Sequence, residues 1–216
     1  MRLLDFLFPP RTDEALLRGI RDDEFLAFTK PQLAPETRPG TAVLLPFNEP
    51  AVRAAIHEAK YQGSERAFSL LALVLADYLR DADLMAKRGL VMVPVPLGKK
   101  RLKERGYNQA EEVARRAFRS FSAGEPRPSL EPDLLERVRE TGSQVTLPRH
   151  KREENMRGAF SATPRLRRTS AADFANATFV ILDDVLTTGA TLQAAIDALR
   201  AAGVGSDHIL PIALAH

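Results

Sequence analysis

The sequence predicts an α/β fold in which a twisted, mostly parallel sheet carries helices on both faces. Short apolar runs at residues 90–95, 179–182 and 209–214 are typical of strands that are buried on both faces of a parallel sheet. Segments with apolar residues at helical spacing lie between these runs. A chain of 216 residues is long enough for one such core and too short for two ordinary domains of equal size.

The remaining elements follow from periodicity and from the positions of proline and glycine. Helices are predicted at residues 51–59, 67–80, 108–121 and 190–202, and a short strand at 134–138. Five prolines within residues 29–50 predict an extended connector or an irregular sheet edge after an acidic N-terminal helix. Residues 161–177 are predicted to be an exposed connector. We divide the chain into an N-terminal hood with its connector, residues 1–60, and a core, residues 61–216.

Composition excludes several classes of protein. The hydrophobic fraction of 44% and the charged fraction of 27% are those of a soluble globular protein, and no apolar run approaches the roughly 18 residues that cross a bilayer. The N-terminal segment contains Asp5 and lacks a small-residue cleavage site, so we expect no signal peptide and a cytoplasmic location. Cysteine is absent, and the four histidines lack ligand spacing. We therefore expect no protein-held metal and no zinc.

The segment VILDDVLTTGATL, residues 180–192, carries the clearest chemical pattern. Asp183 and Asp184 end a buried strand, where ligands bind in open α/β sheets. A glycine-containing turn then opens a helix, so backbone N–H groups and threonine hydroxyls point outward at the positive end of the helix dipole. Carboxylates accept hydrogen bonds from sugar hydroxyls and repel a neighbouring phosphate. The spacing therefore predicts a sugar site at the acids and a phosphate site at residues 187–191.

A basic loop is predicted after the strand at 90–95. It contains Lys99, Lys100, Arg101, Lys103 and Arg105. Two parallel strands deliver their loops to the same sheet edge, so a diphosphate fits between this loop and the phosphate turn. Residues 97–168 hold 18 basic and 10 acidic residues, a net charge of +8 that suits a polyanionic small ligand or nucleic acid. Residues 139–160 are polar and basic with little periodicity, and we hypothesise that they form a lid.

Segment 180–192 closely resembles the 5-phosphoribosyl 1-diphosphate (PRPP) motif of type I phosphoribosyltransferases. Four further segments resemble the ComF-like branch of that superfamily: residues 3–11 (LLDFLFPPR), 55–63 (AIHEAKYQG), 93–110 (VPVPLGKKRLKERGYNQA) and 137–160 (RVRETGSQVTLPRHKREENMRGAF). The resemblance implies the type I phosphoribosyltransferase fold. It also implies transfer of the phosphoribosyl group to a nitrogen acceptor with release of pyrophosphate, with Mg²⁺ carried in by PRPP.

The resemblance assigns expected roles to individual residues. Asp183 and Asp184 are the expected ribose-binding, catalytic acids. The expected 5-phosphate ligands are Thr187, Thr188, Gly189, Ala190 and Thr191. The expected diphosphate ligands are Lys99, Lys100, Arg101 and Arg105, and the lid residues are Arg152, Asn155 and Arg157. The acceptor is not identified, because residues 1–60 offer no nucleobase motif.

The chain departs from the ComF-like pattern at one point. Family members carry a four-cysteine zinc module after the FPPR sequence, whereas here Thr12 follows and no cysteine is present. Two alternatives to an enzyme stay open: a non-catalytic PRPP-binding regulator associated with DNA uptake, and a nucleic-acid-binding module that uses the +8 segment. The partners to be tested are PRPP, single-stranded DNA or DNA-uptake proteins, and a second copy of the chain in a homodimer.

Overall fold

In the part of the chain that the structure describes, six strands form the central sheet and two more form a small second sheet. The computed structural model describes residues 11–81, 89–123, 128–140, 154–168 and 177–216. The strands are β1 (Gln32–Ala34), β2 (Thr41–Leu45), β3 (Gly89–Pro94), β4 (Ser129–Leu130), β5 (Leu135–Arg137), β6 (Phe160–Ala162), β7 (Ala177–Val185) and β8 (Ile209–Ala215). The central order is β1-β2-β8-β7-β3-β4, parallel throughout except for the antiparallel edge strand β1, and β5 pairs antiparallel with β6.

Helices cover both faces of the central sheet. They are α1 (Thr12–Gly19), α2 (Asp22–Leu26), α3 (Pro50–Tyr61), α4 (Glu65–Asp81), α5 (Lys99–Arg105), α6 (Gln109–Arg119), α7 (Pro164–Arg167) and α8 (Ala190–Ala201). Local chemistry explains where some of these helices begin. Proline occupies the first turn of α3, where its missing N–H costs nothing, and the Asn108 side chain accepts a hydrogen bond from the Ala110 N–H at 3.1 Å at the start of α6.

The strands bury alternate side chains in two separate cores. In β7, Val180 and Leu182 pack against α3, α4 and α6, while Phe179 and Ile181 pack on the opposite face against α8 and the β5–β6 sheet. Both faces of a parallel strand are thus covered, which explains why these segments read as continuous apolar runs rather than alternating ones. The rigid sheet fixes the positions of the loops that leave its carboxyl edge.

The structure confirms the predicted α/β class, with its mostly parallel sheet and helices on both faces. Two expectations about local structure were wrong. Residues 99–105 form a helix, α5, rather than a loop, and the expected connector after residue 160 contains the end of β6 and the helix α7. The division at residue 60 stays a prediction. Strand β2, from the predicted hood, pairs with β8 of the core.

Candidate functional site

A pocket of about 860 Å³ lies at the carboxyl edge of the central sheet. The segments that follow β2, β7 and β3 and the residue after β8, His216, reach this edge, and α3 and α5 wall the pocket. The predicted site residues that line it are Asp183, Asp184, Thr187, Thr191, Lys100, Arg101 and Arg105. The fold therefore brings the acids, part of the threonine turn and most of the predicted basic ligands into one space.

Asp184 is buried and is held from two sides. Its Oδ2 atom accepts a hydrogen bond from Gln109 Nε2 at 2.8 Å and lies 2.9 Å from Lys60 Nζ. Only 7% of Asp184 is exposed, so a charged carboxylate there requires such partners. The orientation of Asp184 is thus determined by α3 and α6 before any ligand arrives.

Asp183 is partly exposed to the pocket and lies beside Asp184. The Asp184 N–H donates to Asp183 Oδ1 at 2.9 Å. Loss of solvation and, to a lesser extent, the negative charge of Asp184 raise the pKa of Asp183 to about 7, with Lys60 and Arg137 acting in the opposite direction. Asp183 therefore changes its charge near neutral pH, and it is the acid of the pair with free access to a ligand.

The threonine turn, residues 187–191, leads from β7 into α8. Gly189 adopts the left-handed conformation with φ of 74°, and a Cβ atom at this position would lie 2.9 Å from both the Cβ and the carbonyl oxygen of Glu36. The first N–H groups of α8 lack partners within the helix, so they are available to an anion. Thr187 and Thr191 line the pocket; Thr188 is partly exposed, and Gly189 and Ala190 are buried in the turn.

The basic residues after β3 lie on the short helix α5. Lys100, Arg101 and Arg105 face the pocket, whereas Lys99 and Lys103 are exposed and are not among its lining residues. The helix ends at Gly106, whose φ of 78° is the left-handed conformation common at helix ends. Three of the four predicted diphosphate ligands therefore line the same pocket as Thr187 and Thr191.

Comparison with protein families agrees with this geometry. Residues 104–210 match the family model described as the phosphoribosyl transferase domain. This segment, just under half of the chain, is similar to phosphoribosyl transferase domains. It includes Arg105, both acids and the whole threonine turn, while Lys60, Lys100 and Arg101 precede it. A search of curated proteins finds no match to the chain.

Three residues that line the pocket were not predicted from the sequence. Lys60 and Gln109 contact Asp184, and Arg137, at the end of β5, lines the pocket close to Arg101 and Asp183. Burial, together with the positive charge of Arg101, lowers the pKa of Arg137. No local spacing in the sequence predicts these residues. Lys60 and Gln109 lie 124 and 75 positions before Asp184, and Arg137 lies 46 positions before Asp183.

The predicted lid is only partly described. Arg152 lies outside the described residues. Asn155 is partly exposed and Arg157 is exposed, and the carbonyl oxygens of both accept hydrogen bonds from Arg139 Nη2, at 2.6 and 2.7 Å. Neither residue is among those that line the pocket. Their role in closing this pocket stays a prediction.

Two places within the described residues bring together groups that can bind a metal ion. Asp13, His57 and Glu58 lie close enough together to hold an ion, but both oxygens of Glu58 accept hydrogen bonds from Arg11, at 3.0 and 2.8 Å. Inside the pocket, Asp183, Glu104 and Glu140 offer carboxylate oxygens, which suit Mg²⁺ bound to a diphosphate. Among the described residues, no helix is both long and apolar enough to cross a membrane.

Proposed function

We propose that this protein binds PRPP with Mg²⁺ and transfers its phosphoribosyl group to a nitrogen acceptor, releasing pyrophosphate. The observation that carries the proposal is the shared pocket of about 860 Å³, which is lined by the acid pair, by two residues of the threonine turn and by three cations of α5. Each part of PRPP has a chemical counterpart there. The match of residues 104–210 to the phosphoribosyltransferase family supports the same ligand.

Different residues of the pocket bind different parts of PRPP. Asp183 and Asp184 accept hydrogen bonds from the ribose hydroxyls, for which acceptor-only groups are suited. Thr187 and Thr191, with the N–H groups that open α8, bind the 5-phosphate. Lys100, Arg101 and Arg105 neutralise the diphosphate through charge-assisted hydrogen bonds.

The reaction is a displacement at C1 of the ribose. The bond from C1 to the diphosphate oxygen breaks, its electron pair leaves with pyrophosphate, and a bond from the acceptor nitrogen to C1 forms. Positive charge develops on the sugar in the transition state, as in glycosyl transfer, and the neighbouring acid pair stabilises it. When bound, Mg²⁺ supplies charge neutralisation on the diphosphate. The protein contributes orientation and electrostatics rather than a covalent intermediate.

Membership of the ComF-like branch is part of the proposal. Two of the segments that resemble this branch, residues 55–63 and 93–110, contain Lys60 and Gln109. Both side chains contact Asp184, so these segments supply the supports of the acid pair. A shared catalytic arrangement is one physical reason for the resemblance.

The arrangement of cations favours a small ligand over nucleic acid. Several arginines of the +8 segment have acidic partners: Arg116 with Glu65 at 2.6 Å, Arg115 with Glu111 at 2.5 Å and Arg165 with Glu131 at 2.6 Å. Lys100, Arg101 and Arg105 face a concave pocket. Proteins that bind double- or single-stranded nucleic acid typically present their cations along an open surface or groove.

Pyrophosphate release tests the proposal. The protein is incubated with PRPP, Mg²⁺ and a panel of nitrogen heterocycles, and we expect pyrophosphate release with at least one acceptor. The double variant Asp183→Asn with Asp184→Asn should release pyrophosphate about a hundredfold more slowly, since electrostatic groups of this kind contribute at that level. PRPP binding without release for any acceptor would instead favour the non-catalytic regulator. Salt-sensitive binding of single-stranded DNA that survives the double substitution would favour the nucleic-acid module.

A further inference from the structure

The pocket continues past the acid pair on the side away from α5. The strand order β2-β8-β7-β3 places the end of β3, and with it α5, on one side of β7, and the ends of β8 and β2 on the other. We call this second half the β2 side of the pocket. It is lined by Phe47, Arg53, Ile56, His57 and His216. None of these residues has a role in holding PRPP in the proposed function.

The displacement chemistry indicates a function for the β2 side of the pocket. The cations that receive the diphosphate lie on the β3 side of the acids, so the leaving group departs in that direction. In a direct displacement the nucleophile approaches the reacting carbon from the face opposite to the leaving group. The acceptor nitrogen must therefore enter over β8 and β2.

The side chains of the β2 side differ in charge from the rest of the pocket. Arg53 is exposed, and its side chain has no hydrogen bond, ion pair or ring contact within the part of the chain that the structure describes. The carboxylates that line the pocket are Asp183 and Asp184 at its centre and Glu104 and Glu140 beside α5. Among the described lining residues, the side chains of the β2 side thus contribute a free cation and no carboxylate.

The shape of the β2 side suits a flat ring. Phe47 is 36% exposed, and Ile56 adds an apolar contact from α3. Arg53 precedes Lys60 by seven residues on that helix, which is about 10 Å along its axis, and Lys60 contacts Asp184 directly. One heteroaromatic ring with a substituent can extend from the acid pair toward the guanidinium over that distance.

We propose that the β2 side binds the acceptor, and that the acceptor is a flat nitrogen heterocycle with an anionic substituent such as a carboxylate. Phe47 contacts the ring, and Arg53 pairs with the anion as a specificity-determining residue. The ring nitrogen forms the bond to C1 as the diphosphate leaves, and a nitrogen that carries a proton releases it to water. This inference rests on the proposed function, because it names the acceptor class of the same site.

The experiment compares acceptors that differ only in charge. The pairs are pyridine-3-carboxylate with pyridine-3-carboxamide, uracil-6-carboxylate with uracil, and imidazole-4-carboxylate with imidazole-4-carboxamide. Pyrophosphate release from PRPP is measured for the unmodified protein, Arg53→Met and the control Arg119→Met, which removes an exposed cation of α6 outside the pocket. PRPP affinity is measured in parallel by calorimetry.

We expect at least one carboxylate to exceed its uncharged partner by about tenfold or more in kcat/KM, as one charge-assisted hydrogen bond allows. Arg53→Met removes that preference by raising the KM for the acceptor, while the Kd for PRPP stays within about twofold and Arg119→Met changes neither quantity. Phe47→Ala raises the KM for both members of a pair, since it removes the ring contact that they share.

Three results would overturn the inference while leaving PRPP binding intact. These are a preference for the uncharged partners, no release with any carboxylate, and an equal loss in Arg53→Met and Arg119→Met. A loss of PRPP affinity in Arg53→Met would place this arginine on PRPP and also overturn it. Failure of the unmodified protein to bind PRPP would refute the proposed function itself, and calorimetry detects that separately.

Discussion

Gln109 connects the two charged parts of the pocket through a single amide. Its Oε1 atom accepts a hydrogen bond from Arg105 Nη1 at 2.9 Å, and its Nε2 atom donates to Asp184 at 2.8 Å. Gln109 is 5% exposed, so these two bonds satisfy a side chain that has little access to water. The position of a diphosphate-binding cation and the position of a ribose-binding acid are therefore coupled.

Replacing Gln109 with leucine should weaken PRPP binding by about tenfold, because the buried Asp184 and the partly exposed Arg105 each lose a partner and are held less firmly in position. The control is Gln193→Leu on α8, which also removes two hydrogen bonds, one to Asp197 and one from the Arg38 N–H, outside the pocket. Calorimetry with PRPP and Mg²⁺ provides the measurement. Equal affinities in the two variants would show that Gln109 does not support the site.

The pKa of Asp183, raised to about 7, predicts pH-dependent ligand binding. Below this pH Asp183 is neutral and accepts hydrogen bonds weakly; above it, the carboxylate binds ribose hydroxyls fully. PRPP affinity should therefore rise between about pH 6 and pH 8, by up to roughly tenfold for each pH unit below the pKa. The phosphates of PRPP also titrate, so Asp183→Asn, which cannot ionise, supplies the baseline. Parallel profiles for the two proteins would contradict the assignment.

At the scale of an element, the threonine turn depends on close contact with the segment between β1 and β2. Gly189 combines a φ of 74° with van der Waals contact to Glu36, so no side chain fits there without movement of the backbone. This approach fixes the start of α8 and the direction of its first N–H groups. The phosphate site therefore relies on a neighbouring loop as well as on its own sequence.

Gly189→Ala should lower the free energy of unfolding by about 1–3 kcal/mol and weaken PRPP binding, since the turn must shift. Gly106→Ala is a matched control: its φ of 78° imposes similar strain, but a Cβ atom there meets nothing within 4 Å. Thermal melting and calorimetry separate the two effects. The control should lose stability and keep most of its PRPP affinity. A larger loss of affinity in the control would contradict the role of the Glu36 contact.

Helix α5 was not predicted from the sequence, and its composition explains why. Its seven residues contain six charged side chains and one leucine, Leu102, which is 45% exposed. An apolar stripe, the usual signal of a surface helix, is therefore absent. The good helix propensity of lysine, arginine and glutamate, with Gly106 as a stop, was the available signal.

At the scale of the whole molecule, the sheet order decides which residues meet. Strands β3, β7 and β8 could be predicted from their apolar runs, and with them the edge where Asp183 and the threonine turn lie. Lys60 and Gln109 could not be predicted, because their approach to Asp184 depends on how α3 and α6 pack on the sheet. Local patterns thus predict the ligand-binding motif, whereas its supports are set by tertiary packing.

Calorimetric titration of the whole protein with PRPP and Mg²⁺ tests the central claim most directly. We expect one PRPP-binding site for each chain. The double variant Asp183→Asn with Asp184→Asn should bind PRPP about a hundredfold more weakly. Ribose 5-phosphate, which lacks the diphosphate, should bind the unmodified protein more weakly than PRPP does. Thermal melting of the variant verifies that it is folded. Undetectable binding of PRPP, or binding that the double substitution leaves unchanged, would contradict a PRPP site at this sheet edge.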